Sequence, residues 1–133
     1  MKYKILEHKA DLKIKVFGKS KKELFENALL GMQSSLKAEI ENSESKIRKI
    51  KIKSNDLASL LVDFLSEINY LNEVNQEIYN KIEFLKFSDT ELEGKIFGNK
   101  VARFGLIIKG VTYHGLEIKK NKNTWQATIL FDI

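Results

Sequence analysis

The apolar residues of the segment 57–71 recur with the period of an α-helix, and this is the strongest periodic signal in the chain. They fall at offsets 0, 3, 4, 7, 8, 11 and 14, which places all of them on one side of a helix. The series is Leu57, Leu60, Leu61, Phe64, Leu65, Ile68 and Leu71. We therefore predict an amphipathic helix that buries this side, with Ser54 or Asn55 as its N-cap.

A second amphipathic helix is predicted nearer the N-terminus. Ser20 and Glu23 have the spacing of a capping box, in which each side chain accepts a backbone N–H of the first turn. The apolar residues that follow at helical intervals are Leu24, Phe25, Ala28, Leu29, Met32 and Leu36. The sequence thus contains two helices, each with one side to bury.

Alternation of apolar and polar residues predicts strands in most of the remaining chain. In the first, Leu12, Ile14 and Val16 alternate with lysines. In residues 46–53, alternation places three lysines on one face and Ile50 and Ile52 on the other. Further strands are predicted at 81–87, 91–97 and 104–113. A final hairpin is predicted to join 116–119 to 124–133 about residues 121–123.

The order of these elements is strand, helix, strand, helix and then a run of strands, which favours the α+β class. The chain has 133 residues, no Pro and no Gly/Ser-rich linker, so nothing marks a domain boundary. We predict one two-layer domain over residues 1–133, with a mostly antiparallel sheet that carries both amphipathic helices on one face.

Composition removes several classes of function. The chain has no Cys, which excludes thiolate catalysis and thiolate zinc sites, and only two His, too few for a three-histidine metal site. It contains no phosphate-binding loop, no GxGxxG and no HExxH motif. Charge appears within the first residues and no apolar run approaches about 18 residues, so we expect a cytoplasmic protein without a membrane segment.

The net charge of +5 favours an anionic partner. One alternative is therefore a stand-alone RNA-binding module that uses Lys49, Lys51 and Lys53 together with Lys13 and Lys15. Against it, Arg occurs only at positions 48 and 103 among 23 basic residues, and the neighbours of the stripe are Ile47, Ile50 and Ile52, with aromatic residues mostly at core-like positions. Another alternative, a chaperone-like scaffold, requires an exposed apolar patch. A metal-dependent hydrolase would lack a general base with a defined partner.

The C-terminal strand ends in acidic groups. Alternation continues to the last residue, so the side chain of Asp132 and the terminal carboxylate of Ile133 lie within one residue of each other. If Asp11 lies beside them, three carboxylates converge and attract a hard cation, Ca²⁺ or Mg²⁺, rather than zinc. Spacing alone leaves a second interpretation open, in which Asp132 is solvated and nothing binds. A hairpin centred on Lys122 would place Asp132 near Thr112 and bring residues 109–114 close by.

Several segments together resemble the archease family, in order and over nearly the whole chain. The most specific are Val111–Ile118 (VTYHGLEI) and the terminal Phe131-Asp132-Ile133, supported by residues 7–12, 24–28, 56–65 and 109–110. The sequence departs from the family motif at Glu7, where Asp is usual, and at Lys9, where Thr is usual. Lys9 would change the hydrogen bonds around a cation at Asp11.

The resemblance implies an accessory protein that is not itself an enzyme. Such a protein activates an RtcB-type RNA ligase in tRNA splicing, promotes guanylylation of the ligase histidine with multiple turnover, and can broaden nucleotide use. It would meet RNA indirectly, through the ligase. The resemblance also implies bound Ca²⁺, with Mg²⁺ as the alternative, at Asp11, Asp132 and Ile133. Our predicted residues for the ligase-facing site are Asp11, Lys109, Asp132, His114 and, less directly, Asp63.

Overall fold

The computed structural model describes residues 1–7, 11–113 and 115–133, and for Glu7, Asn42 and Ser43 only the backbone. Two helices and eight strands are present in these ranges. The helices are α1 (Lys21–Ser35) and α2 (Leu57–Asn75). The strands are β1 (Tyr3–Glu7), β2 (Asp11–Gly18), β3 (Glu39–Lys53), β4 (Glu77–Phe87), β5 (Glu91–Arg103), β6 (Gly110–Val111), β7 (Ile118–Asn121) and β8 (Thr124–Asp132).

The strands form two antiparallel sheets, which confirms the α+β class. One sheet has the order β1-β2-β8-β6, with β7 also paired to β8, and the other has the order β3-β5-β4. The sequence predicted one sheet with both helices on one face. Instead α1 contacts β2 of the larger sheet and β4 of the smaller one. The apolar surface of this helix is therefore shared between two sheets.

Both helices begin at side-chain caps. The Ser20 hydroxyl accepts the Glu23 N–H at 3.1 Å, as predicted for α1. The cap of α2 is Asp56, whose carboxylate accepts the Ser59 N–H at 2.7 Å, so the prediction of Ser54 or Asn55 was wrong. The three residues that precede α2, Ser54, Asn55 and Asp56, all have side chains that can cap a helix, so the sequence alone does not identify the cap. The Ser54 hydroxyl is used elsewhere, as described below.

The core is one cluster to which both sheets and both helices contribute. Leu12, Ile14 and Val16 of β2 are fully buried, as are most apolar residues of the α2 series. The helices therefore bury the sides that the sequence periodicity predicted. In the described ranges, neither helix is long and apolar enough to cross a membrane.

The chain between β5 and β7 differs from the prediction of a continuous strand over 104–113. Strand β5 ends at Arg103, and only Gly110 and Val111 pair with β8. Asp132 lies opposite Gly110 rather than near Thr112. Gly110 and Ile118 are eight positions apart in the sequence, whereas their partners Asp132 and Ala127 are only five positions apart. The intervening chain leaves the ladder, and Leu116 N–H donates to the Tyr113 carbonyl at 3.3 Å.

The predicted final hairpin is confirmed, since Asn121 pairs with Thr124. Lys122, in its two-residue loop, has a φ of 58°, a left-handed conformation that tight hairpin turns require. This hairpin sets the register between β7 and β8. At the other end of β8, Asp132 lies beside Asp11, the first residue of β2.

A buried polar network that the sequence did not predict connects the two helices to β4. The Gln33 and Asn72 side-chain amides bond each other reciprocally, at 2.9 and 2.7 Å. Nearby, the Glu77 carboxylate accepts two hydrogen bonds from Arg48, at 2.9 and 2.7 Å, and one from the Tyr79 hydroxyl at 2.8 Å. The Glu77 side chain is only 2% exposed. Such groups remain stable when buried because each has hydrogen-bond partners.

Candidate functional site

The two acidic residues predicted to form a site lie opposite each other on neighbouring strands. Asp11 is the first residue of β2 and Asp132 the last of β8, and they are direct partners in the antiparallel register. Side chains of directly opposed residues lie on the same face of a sheet, with Cβ atoms about 4.5–5.5 Å apart. Because Leu12 and Phe131 are buried, the two carboxylates lie on the face away from the core. We call Asp11 and Asp132 the acidic pair.

The environment of the acidic pair is asymmetric. Oδ1 of Asp11 is buried and has no hydrogen-bond partner among the described residues, whereas Asp132 is exposed. A buried carboxylate oxygen without a donor is costly, because the lost hydration is not replaced. Two carboxylates facing each other add repulsion. Both costs are relieved by a cation.

The donor set of the acidic pair fits a hard divalent cation. Carboxylate oxygens are preferred by Ca²⁺ and Mg²⁺, which commonly complete their coordination with water. Within the described ranges no three His, Cys, Asp or Glu side chains are grouped to hold a metal. The third protein ligand in our prediction is the terminal carboxylate of Ile133, which directly follows Asp132. The unpartnered Oδ1 of Asp11 is the observation that points to a ligand here.

Lys109 is held beside the acidic pair by the backbone. Its N–H donates to the Asp132 carbonyl at 2.7 Å, immediately before Gly110 pairs with Asp132. A Cβ on Gly110 would stand 3.8 Å from Oδ2 of Asp132, so this carboxylate lies close to the β6 side. The exposed Lys109 thus lies at the same end of the sheet as the acidic pair, as predicted.

Asp63, a predicted residue of the ligase-facing site, has hydrogen-bond partners on both of its carboxylate oxygens. Its Oδ2 accepts the Ser54 hydroxyl at 2.5 Å, and its Oδ1 accepts the Tyr113 hydroxyl. This hydrogen bond raises the pKa of Tyr113 above its ordinary value. Oδ1 of Asp63 therefore joins α2 to the segment after β6, and Oδ2 joins α2 to the residue that follows β3. No contact connects Asp63 directly to the acidic pair in the part of the chain that the structure describes.

One predicted site residue has no described position, and one residue with a contact to the site residues was not predicted. His114 lies outside the described residues, as do His8, Lys9 and Ala10. The role of Tyr113 was missed by sequence reasoning, since a hydrogen bond between residues 50 positions apart leaves no local signal. Only its place in the VTYHGLEI segment singled it out.

The basic stripe of the alternative RNA-binding interpretation is divided between the two sheets. Lys13 and Lys15 lie on β2, whereas Lys49, Lys51 and Lys53 lie on β3. The β3 lysines are partly neutralised by β5, since Lys51 pairs with Glu93 at 3.4 Å. Lys53 lies directly opposite Glu91. The five lysines therefore do not lie on one sheet.

The class defined by this fold and site is an α+β domain of two antiparallel sheets, with a carboxylate pair where two inner strands of the larger sheet end. Residues 3–133 match the model of the Archease protein family, and the chain belongs to this family. Among its relatives, "Protein archease" of Methanosarcina barkeri is 37% identical over 98% of this chain and 95% of the relative. That of Saccharolobus islandicus is 30% identical over 98% of both chains.

Solved structures show the same fold at low sequence identity. The crystal structure of "an archease, possible chaperone" from Thermotoga maritima matches with a TM-score of 0.73 and 21% identity, over 98% of this chain and 96% of that chain. The solution structure of protein 1598 from Methanobacterium thermoautotrophicum matches with a TM-score of 0.69 and 21% identity, over 98% of both chains.

Proposed function

We propose that this protein is a non-catalytic activator of an RtcB-type RNA ligase. In this role it promotes guanylylation of the ligase histidine, sustains multiple turnover in tRNA splicing, and broadens nucleotide use. The observation that carries the proposal is the register of β2 and β8, which places Asp11 opposite Asp132 at one end of the larger sheet. Membership of the Archease family supports an accessory role.

The acidic pair is the part of the site that would hold a divalent cation. Asp11 and Asp132 supply side-chain carboxylates, and Ile133 supplies the terminal carboxylate. Our proposal is Ca²⁺, with Mg²⁺ as the alternative. Such a cation, when bound, neutralises phosphate oxygens and so favours the approach of a nucleotide. The exposed position of Asp132 allows this edge to face a partner protein.

The remaining proposed site residues act around the pair. The ammonium group of Lys109 would attract a phosphate group, and the hydrogen bond from its backbone N–H to the Asp132 carbonyl keeps Lys109 at the end of the sheet where the acidic pair lies. His114 stays a predicted partner-site residue outside the described ranges. We revise Asp63 to a positioning residue, because its carboxylate accepts the Tyr113 hydroxyl.

The direct test measures RNA ligation by a cognate ligase in the presence of a substoichiometric amount of this protein. Guanylylation of the ligase is measured in the same reactions. We expect faster guanylylation and multiple turnover. Asp132→Asn and Asp11→Asn should abolish both effects. Asp89→Asn is the matched control, because Asp89 is an exposed carboxylate paired with Lys21 at 2.7 Å, outside the proposed site. Equal activation by Asp132→Asn and wild type would contradict the proposal.

A chaperone-like scaffold is the second candidate, since the Thermotoga relative is described as a possible chaperone. Several large apolar side chains are exposed, among them Ile47, Leu85 and Ile107 at 58%, 58% and 64%. They lie on different elements, β3, β4 and the segment after β5. Suppression of the aggregation of an unfolding test protein, measured by light scattering, would favour this role over ligase activation.

A further inference from the structure

The outer face of the larger sheet is rich in lysine. Leu12, Ile14 and Val16 are fully buried, so the alternating Lys13 and Lys15 of β2 lie on the opposite side, away from the core. Lys4 of β1 is directly opposite Lys15, and Lys119 of β7 is directly opposite Gln126 on the same side of β8. We call Lys4, Lys13, Lys15 and Lys119 the lysine face.

The lysine face concentrates charge that the fold itself does not neutralise. Lys4, Lys13 and Lys15 have no ion pair in the ranges that the structure describes, unlike Lys51 on the smaller sheet. Like charges directly opposed on neighbouring strands are destabilising. Lys119 pairs with Glu117 at 3.0 Å, but both side chains are about two-thirds exposed, at 65% and 67%. Such surface pairs are weak and exchange readily for another anion.

A shallow cavity of about 250 Å³ opens on this face. Its lining includes Lys15, Lys119, Gln126 and Thr128, which supply two ammonium groups and two neutral hydrogen-bonding side chains, and also the exposed Glu117 that pairs with Lys119. Beside it, the ammonium of Lys15 lies 5.6 Å from the ring centroid of the half-buried Phe17. Cationic side chains with an aromatic ring and hydrogen-bonding groups are typical of surfaces that follow a single nucleic-acid strand.

We propose that the lysine face binds single-stranded RNA directly, through its phosphodiester backbone. The lysine ammonium groups contact successive phosphates of the RNA, and Gln126 and Thr128 supply hydrogen-bond partners for its 2′-hydroxyl groups. An acidic protein is the less fitting occupant, because protein interfaces are depleted in lysine and are centred on apolar anchors. This inference is independent of ligase activation, which our proposed function assigns to the acidic pair.

The experiment measures binding of the full-length protein to a fluorescein-labelled oligouridylate of about 12 nucleotides. Fluorescence anisotropy gives the Kd between about 50 and 200 mM NaCl. Each phosphate contact to a single strand contributes about −0.7 to the slope of log affinity against log salt, so four lysines predict a slope of about −3.

Lys13→Gln/Lys15→Gln should reduce the magnitude of the slope by about 1.4, which corresponds to about a sevenfold smaller loss of affinity over this salt range. Lys4→Gln, at an exposed edge-strand position, should reduce it by about 0.7. The matched control is Lys49→Gln/Lys51→Gln, which removes the same charge from exposed positions of β3 and should leave the slope unchanged. Circular dichroism verifies that each variant is folded.

Three results would overturn the proposal. The first is no binding at the lowest salt concentration. The second is an equal effect of the β2 and β3 double variants, which would show attraction by net charge alone. The third is binding of a poly-glutamate peptide of similar length with the same affinity and the same sensitivity to Lys13→Gln/Lys15→Gln, which would assign the face to an acidic protein. Ligation assays do not enter this test, so its failure is distinct from failure of the proposed function.

Discussion

Asp11 and Asp132 are separated by 120 residues in the chain and are direct partners across β2 and β8. One carboxylate oxygen of Asp11 is buried without a partner in the described part of the molecule. The larger sheet therefore ends in two opposed acidic side chains, to which no lysine of the described ranges is ion-paired. This relationship leads to the first two predictions.

Calcium should stabilise the protein through the acidic pair. At a free concentration of 100 times its Kd, a cation that binds only the folded state adds about 2.7 kcal/mol to the free energy of unfolding. For a domain of this size we expect the Tm to rise by roughly 10 °C. Asp11→Asn and Asp132→Asn should remove most of this rise in a calorimetric scan with and without Ca²⁺. Asp89→Asn should keep it, and a full rise in either site variant would refute the assignment.

Without a cation, Asp11→Asn should be more stable than wild type. The substitution removes one of two opposed charges, and like charges at directly opposed positions cost about 0.2–1 kcal/mol. Urea unfolding in a chelating buffer would measure the difference. A marked loss of stability would show that the Asp11 carboxylate is a structural group of the empty fold, contrary to our interpretation.

The Arg48–Glu77 pair should be asymmetric in its contribution to stability. Arg48→Ala leaves the Glu77 carboxylate buried and without its cation, which should cost about 3 kcal/mol. Glu77→Gln leaves Arg48 free to turn toward water, because its side chain is 43% exposed, and should cost about 1–2 kcal/mol. Urea unfolding at neutral pH compares the two variants.

Arg103→Ala is a suitable control for Arg48→Ala. Arg103 pairs with Glu39 at 2.7 Å, but the two side chains are 73% and 60% exposed. Exposed ion pairs contribute about 1 kcal/mol or less. If Arg103→Ala proved as damaging as Arg48→Ala, burial of Glu77 would not explain the effect.

Glu77 should also make the protein sensitive to acid. The hydrogen bonds from Arg48, with a further one from Tyr79, hold the pKa of Glu77 below its ordinary value of 4.5. The folded state thus binds this proton more weakly than the unfolded state. The resulting stability is complete above the unfolded-state pKa and is lost as the pH falls through the lower folded-state pKa. The stability difference between wild type and Glu77→Gln should therefore shrink between about pH 6 and pH 3, as measured by urea unfolding.

The Tyr113–Asp63 hydrogen bond should be visible in the titration of Tyr113. Its pKa is raised from 10.0 chiefly because its hydroxyl donates to Asp63. This interaction stabilises the fold below the unfolded-state pKa and is lost as the pH rises through the folded-state value. Asp63→Asn should lower the pKa of Tyr113 toward 10.0, followed by the ¹³Cζ chemical shift. Ser54→Ala, which removes the partner of the other oxygen, should leave the pKa of Tyr113 raised.

Local sequence patterns were sufficient to predict the helices, most of the strands and the α+β class. Periodicity placed Leu60, Leu61 and Phe64 on one side of α2, and alternation placed Leu12, Ile14 and Val16 on one face of β2. All six are fully buried. These patterns are reliable because they depend only on the geometry of one element, in which every third or fourth helical residue, or every second strand residue, shares a face. The family motif further indicated Asp11 and Asp132.

How these elements combine depends on contacts between residues far apart in the chain, which local patterns do not reveal. Asp56 rather than Ser54 caps α2, because Ser54 instead contacts Asp63. Asp132 lies opposite Gly110 because the chain after β6 leaves the ladder, a shift that residue alternation cannot reveal. The pairing of Arg48 with Glu77 and the division of the lysines between two sheets depend on contacts between residues far apart in sequence. Local periodicity specifies which side of an element is buried, whereas the long-range partner is selected by packing of the whole core.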